Sequence, residues 1–415
     1  MSKVSQALDN LRGFVILSVL AFHSFMAYMA SLPAAPTQFD SPPYDWTAHP
    51  IIDGHRWLGF DLFGAFQFLQ LMQLMFFLSG LFVWPSLVRK GAAAFLLDRV
   101  LRLGAPFLFG VYLLMPLAYY PVYRIGAVDP SWSGFWAHWT ALPFSPDGPL
   151  WFLWVVLLMN AGTAALYWLY PRAGDALGRL AADAGQHPGR FFAGLAIATA
   201  LVYLPTAALV APWQWIEYGP LTFQPSMLAQ YAVYFVAGLA VGMSGFERGL
   251  LAADAALAQR WSVWVGGALA GFLLWVAIAA LIVYGYDVLL LRIVREVALV
   301  LFAASACFGS IATFLRFGTR RQPLLSSISE NAYGIYLFHY VFVIWAQYTL
   351  LDTELPAIAK GVGVLLITLA LSWAVATTIG SVPLGARLMR GERRTSLAAT
   401  RSPIEDQRRQ VGLSD

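Results

Sequence analysis

The sequence predicts an all-α polytopic membrane protein, a bundle of about ten transmembrane helices. Of its 415 residues, 59% are hydrophobic and only 12% are charged, which is about half the charged fraction of an average soluble domain. The mean hydropathy is +0.65. The apolar residues also come in blocks of roughly 20, the length of helix that crosses a bilayer core of about 30 Å.

These apolar blocks delimit ten predicted spans. The first block contains a histidine and is longer than the apolar core of a signal peptide, so we interpret it as a retained helix. No internal repeat is visible, and no loop is long enough for a separate soluble domain. The predicted spans are residues 11–31, 58–84, 103–122, 149–170, 191–211, 226–245, 262–285, 288–314, 326–350 and 358–385.

The distribution of lysine and arginine predicts the orientation of these spans. Basic residues precede the first span and follow the second, fourth, sixth, eighth and tenth, and cytoplasmic loops carry such an excess. The opposite loops hold only Arg56 and Arg124, with Lys360 at the start of the tenth span. Both termini are therefore predicted to be cytoplasmic. The net charge of +4 follows from these loops and does not indicate a nucleic-acid partner.

The chain is predicted to form one transmembrane domain over residues 1–390 and a disordered cytoplasmic tail over residues 391–415, where polar and charged residues replace the apolar blocks. The single cysteine, Cys307, lies in an apolar run. Neither a disulfide framework nor a thiolate metal site is expected, and no metal site is predicted. The sequence predicts no particular oligomeric state.

Arg12 and His23 lie on the first span with ten residues between them. A rise of about 1.5 Å per residue places the imidazole roughly 16 Å deeper than the guanidinium. Arg12 is then expected at a membrane face and His23 near the middle of the hydrocarbon, where an ionisable group is costly and usually functional. Neutral imidazole accepts protons from hydroxyl groups, so His23 is a candidate general base. The alternative is a hydrogen bond between helices.

Arg99 and Arg102 form an R-x-x-R pair. Residues three apart share one face of a helix, and planar guanidinium groups bind phosphate oxygens two at a time. The predicted topology puts the pair on the same side as Arg12, which gives a candidate three-arginine site for a polyanion below a buried base. The alternative is that these arginines only enforce orientation.

Further polar residues are candidates for lining a pocket. His339 lies thirteen residues after Ser326 and is predicted to reach a depth similar to that of His23. Arg295 and Glu296 lie one to two turns below the opposite face, and we expect charges from three helices to surround one polar cavity. Glu296 is also four residues from Arg292, a spacing at which the two side chains can pair within the helix.

Three other residues have less specific patterns. Trp151 is typical of the aromatic belt at a membrane interface but can also wall a pocket. Ser79 precedes Gly80, and small residues of this kind let helices approach closely. Tyr336 lies one turn before His339 and is a further candidate for the pocket wall.

Taken in order, these motifs resemble the membrane-bound acyltransferase-3 family, which includes bacterial O-antigen O-acetylases and succinyltransferases of periplasmic glucans. The resemblance covers roughly residues 8–385, and the ten-span topology fits it. The chain is similar to the glucan-succinyltransferase branch in having no fused extracytoplasmic domain. Pro149 departs from the family pattern, in which a polar or basic residue often precedes Leu-Trp. The motifs are Arg12-x10-His23, FFLSG, Arg99-x-x-Arg102, Gly148-Pro-Leu-Trp-Phe-Leu and Tyr333-Gly-Ile-Tyr-Leu-x-His339.

The resemblance implies an enzyme of the bacterial inner membrane that moves an acyl group, acetyl or succinyl, from cytoplasmic acyl-CoA to a hydroxyl of an envelope glycan or another extracytoplasmic acceptor. Acyl-CoA is then a donor substrate, and no cofactor is expected. Arg99 and Arg102, with Arg12, are expected to bind the CoA phosphates, and His23 with Arg12 to form the catalytic pair. Transfer is direct or passes through an acyl-histidine. The candidate donors to the oxyanion are Tyr336, Trp151 and Arg295.

A transporter or flippase of lipid-linked glycans is the main alternative. Such a protein also has buried charges around a central cavity. Transporters often contain internal repeats and helices broken at mid-membrane, and the absence of a repeat here favours the enzyme. A non-catalytic scaffold is disfavoured because ionisable residues such as His23 and Glu296 are costly in hydrocarbon.

Overall fold

The structure is a computed structural model that describes residues 2–33, 39–245, 249–252, 254–383 and 385. The predicted tail at 391–415 and the end of the predicted domain lie outside these residues. Within them the fold is a helical bundle with one small antiparallel hairpin, in which Glu217 faces Thr222. The strands of the hairpin are β1 (Ile216–Tyr218) and β2 (Leu221–Phe223).

The helices follow one another with short connections. Within α4, π-type turns at Val100–Gly104 and Gly110–Leu114 interrupt the α-helix. In chain order the helices are α1 (Lys3–Met26), α2 (Leu58–Leu81), α3 (Val83–Lys90), α4 (Ala92–Gly126), α5 (Trp132–Ala141), α6 (Trp151–Leu169), α7 (Ala173–Ala182), α8 (Pro188–Leu209), α9 (Pro225–Met243), α10 (Ala256–Gln259), α11 (Trp261–Val283), α12 (Leu289–Phe317), α13 (Pro323–Glu330), α14 (Ala332–Leu350) and α15 (Ala357–Ser381).

In the described part of the chain, nine helices are long and apolar enough to cross a membrane. This confirms the predicted class of an all-α polytopic membrane protein. The ninth predicted span, 326–350, divides at Asn331 into α13 and α14. Helix α14, 19 residues long, packs inside the bundle against α1 and α15 and is not among these nine candidates. We call the side of the bundle at which α1 begins the N-terminal side; its orientation toward the cytoplasm stays a prediction.

Helix α1 begins earlier and ends earlier than the predicted span 11–31. The Ser2 hydroxyl caps it by accepting a hydrogen bond from the Ser5 amide at 3.1 Å. Two polar residues of its first turns, Gln6 and Asn10, are buried, and the Asn10 side-chain amide donates to the carbonyls of Gly318 and Arg320 at 2.7 and 2.8 Å. As a result, Arg12 lies near the middle of the helix and His23 lies one turn before its end.

Glycines set the closest approach between α2 and α9. A methyl group at Gly238 would overlap the Phe77 carbonyl, and one at Gly80 would overlap the Phe235 carbonyl. The two helices therefore pack backbone against backbone, as small residues allow. This contact fixes α2 beside α9, and Phe76 of α2 stacks on Tyr231 of α9 with ring centroids 4.8 Å apart.

Candidate active site

Two histidines from different helices meet in the bundle. His339 Nε2 of α14 lies 3.2 Å from His23 Nδ1 of α1. Each Nδ1 also faces a backbone carbonyl of its own helix: His339 Nδ1 lies 2.6 Å from Tyr336 O, and His23 Nδ1 lies 3.0 Å from Val19 O. His339 is completely buried. The two imidazoles thus form a hydrogen-bonded pair, in accord with the similar depth expected from the sequence.

A small cavity adjoins His23 on the side away from the N-terminus. Its volume is about 10 Å³, room for roughly one water molecule. The Tyr340 ring stands edge-on to the imidazole with centroids 5.5 Å apart, and the Gln347 side-chain amide donates to His23 O at 2.9 Å. The cavity is lined by His23, Met26, Ala27, Pro50, Ile51, Tyr340, Val343 and Gln347.

The segment 44–57 covers this cavity and is held by a buried ion pair. Lys360 Nζ on α15 lies 2.7 Å from Asp53 Oδ2, and both side chains are at most 1% exposed. The Asp53 amide donates to Ala27 O at 3.0 Å, and the Tyr119 hydroxyl donates to Thr47 O at 3.0 Å. Sequence reasoning missed this pair, although a lysine inside an apolar block and an aspartate in the facing loop were its signal.

The R-x-x-R pair lies near the N-terminal side of the bundle, where a π-type turn begins at Val100. Arg102 Nε contacts Asp98 Oδ1 at 2.9 Å, and Lys90 Nζ contacts the other oxygen of the same carboxylate at 3.1 Å. The Arg99 guanidinium lies 4.9 Å from the centre of the Phe95 ring. Its charge also interacts with that of Arg102.

Arg12, on α1, is connected to the junction of α13 and α14. Its guanidinium lies 3.9 Å from Asp9, whose carboxylate accepts a hydrogen bond from the Ser329 hydroxyl at 2.9 Å. Four residues later in the chain, the Tyr333 hydroxyl donates to Arg102 O at 2.6 Å. The junction of α13 and α14 thus lies between Arg12 and the R-x-x-R pair. The group contains four cationic side chains and two anionic ones: Arg12, Arg99, Arg102 and Lys90 against Asp9 and Asp98. Its net charge is therefore positive, which suits an anionic ligand.

The turn before α6 joins the histidine pair to an aromatic cluster. The Tyr336 hydroxyl donates to Pro149 O, and the Tyr336 ring lies 5.7 Å from that of His339. Trp151 stacks on Tyr231 with centroids 5.7 Å apart. Although the sequence favoured an interfacial role for Trp151, its ring packs between helices, and it can wall a pocket.

Asp147 fixes the start of this turn. Its two side-chain oxygens accept hydrogen bonds from the amide and the hydroxyl of Thr222 on β2. The carboxyl is 2% exposed, and this burial raises the pKa of Asp147 to about 8. The neutral acid is therefore favoured at pH 7.

Arg295 and Glu296 do not join the histidines, contrary to the expectation of one shared cavity. Glu296 accepts from the Tyr203 hydroxyl at 2.5 Å and from Arg295 at 2.5 and 2.9 Å. The Arg295 guanidinium lies 5.5 Å from the centre of the Trp213 ring. The expected pairing of Arg292 with Glu296 is also wrong, because Arg292 pairs with Asp287 just outside the helix.

One further candidate, Ser79, can be placed directly. The Ser79 hydroxyl donates to Met75 O at 2.8 Å within its own helix, so its described contact supports packing. Among the described residues, no group of three or more histidine, cysteine, aspartate or glutamate side chains is arranged to hold a metal ion.

Comparison with known proteins gives one match. A family model for acyltransferase-3, described as an acyltransferase domain, matches residues 5–377. Comparisons with curated proteins and with solved structures gave no match. The matched region contains the histidine pair, the three arginines and the turn before α6.

Proposed function

The chain belongs to the acyltransferase-3 family, and on that premise we propose that it moves an acetyl or succinyl group from cytoplasmic acyl-CoA to a hydroxyl of an envelope glycan or another extracytoplasmic acceptor. Placement in the bacterial inner membrane is part of this proposal. The observation that supports it most strongly is the pairing of His23 with His339 beside a cavity, with an arginine-rich group nearer the N-terminal side.

In this proposal the arginines bind the donor. Arg12 is connected to the junction of α13 and α14 through Asp9, and Arg102 through its backbone carbonyl, with Arg99 one turn earlier. Guanidinium groups bind phosphate oxygens in pairs. Phosphate would compete with Asp98 for Arg102. Along α1, the eleven residue steps from Arg12 to His23 correspond to about 16 Å, a distance that the extended pantetheine arm of CoA would bridge.

His23 is proposed as the general base. The acceptor hydroxyl donates its proton to the imidazole as its oxygen attacks the thioester carbonyl. The tetrahedral intermediate then collapses, the carbon–sulfur bond breaks, and the CoA thiolate takes the proton from the imidazolium. An ester and free CoA result, and His23 returns to its neutral form. We propose direct transfer because one shared site avoids an additional acyl-histidine step.

Tyr336 is the first choice among the three candidate oxyanion donors. Its ring lies beside His339, but its one hydroxyl proton is donated to Pro149 O, so Tyr336 would have to leave that carbonyl to stabilise an oxyanion. Trp151 lies farther along that wall, in the cluster with Tyr231. Arg295 is bound by Glu296, so it is the weakest candidate.

Release of CoA from labelled acyl-CoA by the purified protein tests this proposal. We expect release by the native protein and its loss in His23→Ala, with folding verified by thermal unfolding. His187→Ala is the matched control, since His187 is about half exposed and lies far along the chain from the site. Unchanged release in His23→Ala would reject His23 as the base, and a transporter would release no CoA.

A further inference from the structure

We propose that His339 is a positioning residue that holds His23 in the tautomer with its proton on Nδ1, so that the Nε2 lone pair is free to accept the substrate proton. This inference rests on the proposed function, in which His23 is the base. It adds an assignment of the proton on each ring nitrogen and a role for the second histidine.

The tautomer of His339 follows from its partners. A carbonyl oxygen can only accept, so His339 Nδ1, 2.6 Å from Tyr336 O, must carry a proton. A neutral imidazole has one donor and one acceptor nitrogen. His339 Nε2 is therefore an acceptor. Because the ring is completely buried, the neutral form is the one that the bundle favours.

The same reasoning then fixes His23. Its Nδ1 faces two acceptors, Val19 O at 3.0 Å and His339 Nε2 at 3.2 Å. Both require the proton to be on Nδ1, and both contacts restrict rotation of the ring. His23 Nε2 consequently holds the lone pair, and no group in the described part of the chain occupies it by a hydrogen bond.

The arrangement leaves the basic nitrogen free on a residue that lines the cavity. His23 lines the cavity together with Pro50 and Ile51, and its other ring nitrogen is already used by α1 and α14. When Nε2 accepts a proton, the two acceptors at Nδ1 stabilise the imidazolium. A buried aspartate has the same relation to the histidine of a serine-protease triad, where it sets the tautomer and orientation of the base.

The role of His339 can be separated from simple packing by two substitutions. His339→Gln keeps an acceptor oxygen near the position of Nε2, whereas His339→Phe keeps the bulk of the ring and removes the acceptor. We expect His339→Phe to lower kcat for CoA release by on the order of 10²-fold with little change in the KM for acyl-CoA, and His339→Gln to retain most of the rate. Equal losses in both variants, or a loss in KM alone, would overturn the positioning role.

Nitrogen NMR of histidine-labelled protein in nanodiscs gives a second readout that does not depend on activity. The His23 signals, assigned by their loss in His23→Ala, should show a protonated Nδ1, and His339→Phe should change the tautomer mixture. A protonated Nε2 in the native protein would overturn the proposal even if His23 proves to be the base. The expected tautomer in a protein without CoA release would instead reject the proposed function.

Discussion

The buried ion pair between Asp53 and Lys360, which holds segment 44–57 over the cavity, gives the sharpest test of how the site is held together. We expect Lys360→Met to destabilise the protein strongly, because it removes the cation and leaves the Asp53 carboxylate buried. Lys360 Nζ lies 2.7 Å from Asp53 Oδ2, and their side chains are 0% and 1% exposed. Lys360 Nζ also donates to Leu351 O at 3.2 Å and lies 3.4 Å from His55 Nδ1, so the substitution removes three contacts of one ammonium group.

The expected size follows from this burial. Removing one partner of a buried pair typically lowers the free energy of unfolding by about 3–5 kcal/mol, chiefly because a charge is left uncompensated. Replacing both partners with apolar residues removes that charge. The double variant Asp53→Leu with Lys360→Met should therefore be more stable than Lys360→Met alone, and the coupling between the two positions should exceed about 1 kcal/mol.

Thermal unfolding of the purified protein in detergent measures these differences. Arg190→Met is the matched control, because Arg190 pairs with Asp183 at 3.1 Å but the side chains are 77% and 53% exposed; exposed pairs contribute at most about 1 kcal/mol. The ion pair does not hold segment 44–57 if Lys360→Met unfolds at the same temperature as the control. The same conclusion follows if the stability lost by the double variant equals the sum of the losses measured separately for Asp53→Leu and Lys360→Met.

Three other predictions concern separate parts of the molecule. Because burial raises the pKa of Asp147 to about 8, the folded state retains a proton that the unfolded state releases above pH 4. Stability should therefore fall by up to about 1.4 kcal/mol per pH unit between pH 5 and 8, and Asp147→Asn should abolish this fall; thermal midpoints that rise with pH in the native protein would contradict it. Arg99→Ala should weaken acyl-CoA binding by about tenfold, and the loss should shrink as salt is added; a salt-independent loss measured by calorimetry would indicate packing instead. Gly238→Ala should lower stability by about 1–3 kcal/mol through overlap with Phe77 O, whereas Gly266→Ala, with nothing within 4 Å of the added methyl, should not; equal thermal midpoints would refute the proposed contact of α2 with α9.

The membrane fold could be predicted from the sequence because apolar blocks of span length are a strong signal. The start of α1 could not, since Gln6 and Asn10 look like polar loop residues. Their side chains are in fact satisfied by partners more than 300 residues away, such as Gly318 O and Ser326 Oγ. A long-range hydrogen bond of this kind leaves no periodic trace in the local sequence.

The part of the candidate site that depends on depth along a helix could be predicted, and the part that depends on contacts between distant segments could not. Counting along each helix was enough to expect His23 and His339 at one depth, because helical rise is constant. The partner of Glu296 was not predictable by spacing, since Tyr203 comes from a different helix. The Asp53–Lys360 pair was missed because it joins a loop to a distant helix, and loop conformation is not encoded by hydrophobic periodicity.

Transfer across sealed, inside-out membrane vesicles tests the central claim most directly. Labelled acyl-CoA would be added to the exposed cytoplasmic face, and alkali-labile ester would be measured on glycans inside the vesicles. We predict that native protein transfers label to the enclosed glycans and that His23→Ala, present at equal amount, does not. Equal labelling by His23→Ala, or labelling only after the vesicles are opened, would contradict an acyl group passing from a cytoplasmic donor to an extracytoplasmic hydroxyl at His23.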